Sequence, residues 1–160
     1  MDALLEELKR NVREDSATLA KMLNTTPAEV ENQIDNYQKQ GVIRGFQALL
    51  DPNLVETTDV HAVIELKVRP MRETGFGEVA RTIARFEQVE ACFLMSGGYD
   101  LLIFVKGKTL QEVAHFVASD LSTLDGVLST ATHFMLKTYK EQGVLMGRSL
   151  NRDDRLQVTP

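Results

Sequence analysis

Cysteine is almost absent. The 160-residue chain has one, Cys92, which excludes an intramolecular disulfide and a zinc site built from several thiolates. Cys92 falls in an apolar stretch and reads as an inert core residue rather than a nucleophile. Long apolar runs are missing too. None approaches the roughly 18 residues that would cross a bilayer, so no membrane partner is expected. Met1-Asp2-Ala3 does not open a signal peptide, and the expected location is cytoplasmic. Positive charge is scarce: 18 Lys and Arg stand against 23 Asp and Glu, for a formal net charge of −5 and a pI near 5.2. Over the whole molecule this opposes avid nucleic-acid binding. The three histidines, His61, His115 and His133, show no HxH or HExxH spacing.

What is present is ordinary for a folded chain: 43% apolar and 26% charged residues. Residues 1–50 read as three short helices followed by an extended segment. Leu4, Leu5, Leu8 and Val12 recur at helical spacing. Asp15 and Ser16 can each cap a second helix carrying Leu19, Ala20 and Leu23. Thr26-Pro27-Ala28-Glu29 has the form of a capping box with proline at the first helical position. Val30, Ile34 and Tyr37 form the buried stripe of the third helix, and Gly41 ends it. Phe46 joins Tyr37 in the expected core, and Val42–Leu50 reads as a short β element. The pattern fits a winged helix-turn-helix, or a plain three-helix subdomain with no DNA role. The helix from Thr26 to Gln40 holds Glu29, Glu31 and Asp35 against Lys39 alone, a balance that opposes phosphate neutralisation. Lys21 and Arg44 are the backbone-contact candidates, and Lys39 is a further positive DNA-binding candidate. Thr25, Thr26, Asn32, Gln33 and Asn36 are candidates for base edges, Asn and Gln being suited to adenine; the alternative is a solvated polar surface.

Residues 51–59, with a proline, form a polar hinge. From residue 60 the pattern is cleaner. Val60, Ala62, Ile64, Leu66 and Val68 alternate with more polar positions, as a half-buried strand does. Phe76, Val79, Ala80, Ile83 and Ala84 mark a helix. A strand pair surrounds Gly97-Gly98. Leu110, Val113, Ala114, Val117 and Leu121 mark a second helix. Val127–Thr138 is a last strand, with Thr130, Thr132, Phe134 and Leu136 on one side. The fold class is therefore α+β, and the order β-α-β-β-α-β gives a ferredoxin-like domain with an antiparallel sheet over residues 60–140. Helices should cover one sheet face. The other carries His61, Val63, Glu65, Lys67, Met135 and Lys137 and suits a two-fold dimer. Residues 141–160 read as an extended tail.

The paired glycines with Tyr99 and Asp100 make a small polar rim on an apolar hairpin, suited to a small polar molecule. They lack the Lys-Ser/Thr of a phosphate loop and open a strand. His61 and His133 fall on adjacent strands and the same side, which leaves a metal- or haem-type site open as a rival, although no clustered carboxylates accompany them. No cofactor or metal is expected.

Gly41-Val42-Ile43-Arg44-Gly45-Phe46, Ser96-Gly97-Gly98-Tyr99-Asp100-Leu101-Leu102, Asp125-Gly126-Val127 and Thr130-x-Thr132 occur in an order and spacing that resemble the Lrp/AsnC family of transcription regulators, over about residues 2–140. The resemblance implies a non-enzymatic regulator. Its N-terminal half would bind double-stranded DNA as a dimer. Its C-terminal half would assemble as a homo-oligomer, octamers included. A small effector, commonly an amino acid, would bind between dimers. On this chain the effector site would comprise Gly97, Gly98, Tyr99, Asp100, Thr130, Thr132 and His133, with Asp100 pairing the α-amino group. A family member that binds only ligand, or that pairs with a relative, is the alternative.

Overall fold

A computed structural model describes residues 2–56, 58–70 and 75–147. The chain divides into two compact units, with the boundary between Leu50 and Asp51.

The first unit holds α1 (Ala3–Arg10), α2 (Ser16–Leu23) and α3 (Pro27–Lys39). Asp2 caps α1 and Asp15 caps α2, each carboxylate accepting a backbone N–H of the first turn. α1 is shorter than the leucine spacing predicts. The Asn11 side chain accepts from the Arg13 N–H at 3.0 Å and donates to Glu14 at 2.7 Å, a local alternative to further helix. Val12 therefore lies past the helix and is exposed. Asn24 ends α2 in the left-handed conformation, φ 53°, so the chain reverses within Asn24, Thr25 and Thr26 before α3 begins. Leu4, Leu19, Ala20 and Val30 are buried together, with Ile34 and Tyr37 packed against them. Val42–Leu50 has no regular secondary structure, so the expected β element is not formed within the described residues. Phe46 is 48% exposed rather than core.

The second unit begins with a hydrogen-bonded segment. Asp51 accepts from the Asn53 N–H at 2.9 Å and from the Gly147 N–H, and the Asn53 amide donates to Thr138 O at 3.3 Å. These bonds hold the Asp51 carboxyl below the usual carboxylate range, the Gly147 N–H most of all. The sheet is antiparallel, in the order β2-β3-β1-β4, built from β1 (Val60–Val68), β2 (Val89–Leu94), β3 (Leu101–Gly107) and β4 (Val127–Phe134). β1 lies centrally. Its Ala62, Ile64, Leu66 and Val68 are buried with Leu101, Ile103 and Val105, because period-2 alternation sends all of them to one face. α4 (Gly77–Ile83) and α5 (Leu110–His115) cover that face.

α5 departs from simple periodicity. It runs on into a π-helical turn, Phe116–Leu121, where the Ser122 N–H reaches back to Val117 O at 2.9 Å. Phe116, three residues after the buried Val113, points inward at ordinary helical spacing where the wider turn begins. Phe116 is 2% exposed and meets Phe86 edge-on, with centroids 5.3 Å apart. Leu110 is 51% exposed and Ala114 is exposed, so the stripe expected there is narrower. Ala84, at the end of α4, is likewise exposed. β4 stops at Phe134, and Leu136 is 96% exposed. The segment read as a tail instead begins with a hairpin of β5 (Lys140–Glu141) and β6 (Val144–Leu145), turned through Gln142 and Gly143 at φ 46° and 88°. The tail's Arg148, Arg152 and Arg155 lie outside the described residues.

Two apolar side chains of this helical run stand in opposite environments, Phe116 buried and Leu110 exposed. Phe116→Ala is expected to cost about 3–5 kcal/mol, while Leu110→Ala stays within about 1 kcal/mol. Urea titration of both variants measures this; equal costs contradict the burial assigned to the two side chains.

Candidate functional site

Two candidate sites occupy the two units. In the second, the turn from Ser96 to Asp100 joins β2 to β3 at one end of the sheet. Asp100 fixes it three ways. Its N–H donates to Leu66 O at 2.9 Å, its carbonyl accepts from the Met95 N–H at 2.8 Å, and Oδ2 accepts from the Val68 N–H at 2.9 Å. The ladder between β1 and β3 ends at Leu66 opposite Leu101. Beyond it, the Asp100 carboxylate takes the place of the next strand carbonyl. Its Oδ1 has no hydrogen-bond partner among the described residues. Tyr99 is half-buried beside it. Gly97 has φ 143°, and a Cβ on either Gly97 or Gly98 would meet nothing within 4 Å. The turn is thus a pinned, open rim carrying one carboxylate, one ring and exposed backbone.

The other expected effector residues divide. Thr130 pairs with Leu66 and Thr132 with Ile64, so both side chains share the face of the buried core. Thr130 lies at the turn's end of the sheet, about two strand spacings (roughly 10 Å) from β3. His133 pairs with Val63 and lies on the opposite face, 3.6 Å from Glu65. Within one chain the structure does not bring His133 to the turn.

On that opposite face His61 Nδ1 is 3.3 Å from Glu90, and Lys106 is 3.7 Å from the same carboxylate. His61 and His133 share a face, yet each has its own carboxylate. No group of three potential metal ligands occurs among the described residues. Phe93 and Phe104 pack edge-on, 6.1 Å apart, and add apolar area. Cys92 is half-buried, and burial pushes its thiol up; a thiol so placed is a poor nucleophile.

In the first unit the cap of α3 absorbs several candidate DNA contacts. Thr26 Oγ1 accepts from the Glu29 N–H at 3.3 Å, and the Glu29 carboxylate accepts from the Thr26 N–H at 3.0 Å and from the Thr25 hydroxyl. The Thr25 hydroxyl, followed by the Thr26 N–H, holds the Glu29 carboxyl below its ordinary range. Gln33 donates to the Tyr37 hydroxyl at 2.9 Å, and that hydroxyl donates to Asp2 at 2.6 Å. Asp2 is lowered by this bond first, and Tyr37 is raised by it. Asn32, Asn36 and Lys39 are exposed on the face opposite Val30. Lys21 is exposed in the last turn of α2. The Arg44 guanidinium folds over Gly41, where a Cβ would stand 3.2 Å from it. The sequence shows which side chains are polar; the cap network shows which of them are already engaged.

The Lrp/AsnC ligand binding domain matches residues 61–145 of the chain. The chain belongs to the Lrp/AsnC family. It is 44% identical over 158 residues to the HTH-type transcriptional regulator YugG of Bacillus subtilis, covering 98% of this chain and 95% of that one. It is 27% identical to a leucine-responsive regulatory protein of Haemophilus influenzae, over 89% and 86% of the two chains. The fold is shared with a transcriptional regulator of Neisseria meningitidis solved in complex with L-Met: TM-score 0.67, 23% identity, 95% and 98% coverage. This Lrp/AsnC member is a transcriptional regulator that joins a helix-turn-helix to a ligand-binding domain. Its relatives are named as regulators.

The caps set the pH window of the helical unit. Asp2, Asp15 and Glu29 are all lowered, so their stabilisation is present above the unfolded carboxylate value of about 4 and is lost as pH falls through the folded values. Tyr37 is raised, so its contribution is present below about 10 and is lost as pH rises through the folded value. Helical circular dichroism melts should show a plateau between these limits, with a smaller acid drop in Glu29→Gln. An unchanged acid drop contradicts the assignment.

Proposed function

We propose that this Lrp/AsnC member binds duplex DNA through α2 and α3 and takes an amino-acid effector at the Gly97–Asp100 turn. The observation that carries the effector reading is the Asp100 carboxylate. One oxygen is committed to Val68, the other has no hydrogen-bond partner among the described residues, and the same turn carries two exposed glycines. A free carboxylate oxygen suits an α-ammonium group, and exposed backbone N–H groups suit a carboxylate. The relative crystallised with L-Met and the relative named for leucine support this ligand class. Within one subunit Thr130 is about two strands from the rim, so a second copy supplies the facing wall. The outer sheet face, with Val63, Phe93 and Phe104 between its ionic pairs, pairs copies two-fold, and further assembly, to an octamer, closes the effector site. On the DNA side Lys21, Lys39 and Arg44 supply phosphate contacts. The location is cytoplasmic, where duplex and free amino acids coexist.

Asp100 has two separable roles. Asp100→Asn keeps an oxygen for the Val68 N–H and removes the charge; Asp100→Ala removes both. In a thermal-shift screen across the common amino acids, the wild type is expected to be stabilised by at least one. Asp100→Asn should melt near the wild type without ligand and lose that shift. Asp100→Ala should also lose about 1–3 kcal/mol of stability. A mobility assay with the protein's own promoter region at about 50 mM salt should show retardation that falls steeply as salt rises. An undiminished amino-acid shift in Asp100→Asn would falsify the effector assignment, and absence of retardation at low salt would remove the DNA assignment.

A further inference from the structure

We infer that base recognition by this chain is carried by one narrow stripe of α3, Ala28-Asn32-Asn36, that this stripe selects A·T pairs, and that Gln33 is held out of it. The inference rests on the DNA-binding function proposed above and names its specificity. Three observations converge. First, Val30 is buried and Ile34 and Tyr37 pack with it, so helical periodicity sends residues 28, 32 and 36 to the opposite side. All three are exposed. Second, several neighbouring polar groups are engaged. Thr25, Thr26 and Glu29 are bonded to one another in the cap, and Gln33 is tied through Tyr37 to Asp2, 35 residues away in sequence. Asn32 and Asn36 have no hydrogen-bond partner among the described residues. Third, the charge on this helix is unfavourable for phosphate, with Glu29, Glu31 and Asp35 against Lys39. Sequence-independent attraction is therefore small, and base contacts must supply a larger share of binding.

The chemistry follows from the residue types. An asparagine amide donates and accepts at once, which matches N7 and N6 of adenine in the major groove, and an alanine methyl packs on the thymine methyl. Asn32 and Asn36 are one turn apart, about 6 Å along the axis, so they reach positions roughly two base pairs apart. Lys39, on the same side in the last turn, meets phosphate.

The test is selection from a pool of random-sequence duplexes at about 50 mM salt with wild type, Asn32→Ala, Asn36→Ala and Gln33→Ala. Alanine is favourable at exposed helix positions, and melting curves confirm folding. Wild type should enrich A·T pairs at a fixed spacing. Asn32→Ala and Asn36→Ala should each flatten adenine preference at one position by about fivefold or more, leaving weak salt-dependent retention of unselected duplex. Gln33→Ala should retain the wild-type preference. Retention of duplex with no A·T preference, a preference untouched by both asparagine variants, or one altered by Gln33→Ala overturns this inference while leaving DNA binding intact. Retention of no duplex at all overturns the DNA-binding function, and this inference with it.

Discussion

A single carboxylate completes the end of the sheet where the ladder between β1 and β3 runs out. Past Leu66 and Leu101 the backbone of the hairpin turns away, and the Val68 N–H would be left without a strand partner. Asp100 Oδ2 takes that N–H, and the Asp100 backbone binds Leu66 and Met95. A half-buried N–H left unpaired costs about 1–3 kcal/mol. The same group that completes β1 also fixes the glycine turn, so the rim is held in place before anything binds. That preorganisation lowers the ordering cost of binding a small molecule. It also explains how two glycines with open space around them can form a defined surface.

The helical unit uses its polar residues in a comparable way. Asp2, Asp15 and Thr26 each accept a backbone N–H at a helix start. Glu29 is spent closing the cap with Thr25 and Thr26, and Gln33 is spent reaching Tyr37. The reading surface is what remains. Its composition is a consequence of stabilising α3, because a threonine or glutamine bonded inside the protein does not also present itself to a base edge without breaking that bond.

Much of this was legible from residue order. The alternation Ala62, Ile64, Leu66, Val68 marks a strand with one buried face, and Thr26-Pro27-Ala28-Glu29 marks a helix start, because both signals are local and lie in the period of the element that they form. What was not legible depended on geometry that period alone does not encode. Helical spacing alone lets Phe116 or Leu110 share the face of Val113; packing decides that Phe116 enters the core while Leu110 and Ala114 stay out. The Gln142-Gly143 turn lacks the Asn-Gly or Asp-Gly signature of a tight hairpin, and β5 and β6 were read as tail. Val42–Leu50 carries strand-like residues but finds no strand to pair with among the described residues. Grouping His133 with Thr130 and Thr132 followed the family resemblance. Strict alternation places His133 on the other face, as the register confirms.

Hydrogen exchange followed by mass spectrometry reads the rim most directly. With the stabilising amino acid at saturation, amides of the peptide spanning residues 95–101 should exchange more slowly, together with Val68, while α1 is unchanged. Slowing confined to other segments, with residues 95–101 unaffected, would contradict the claim that Asp100 and its glycines hold the effector.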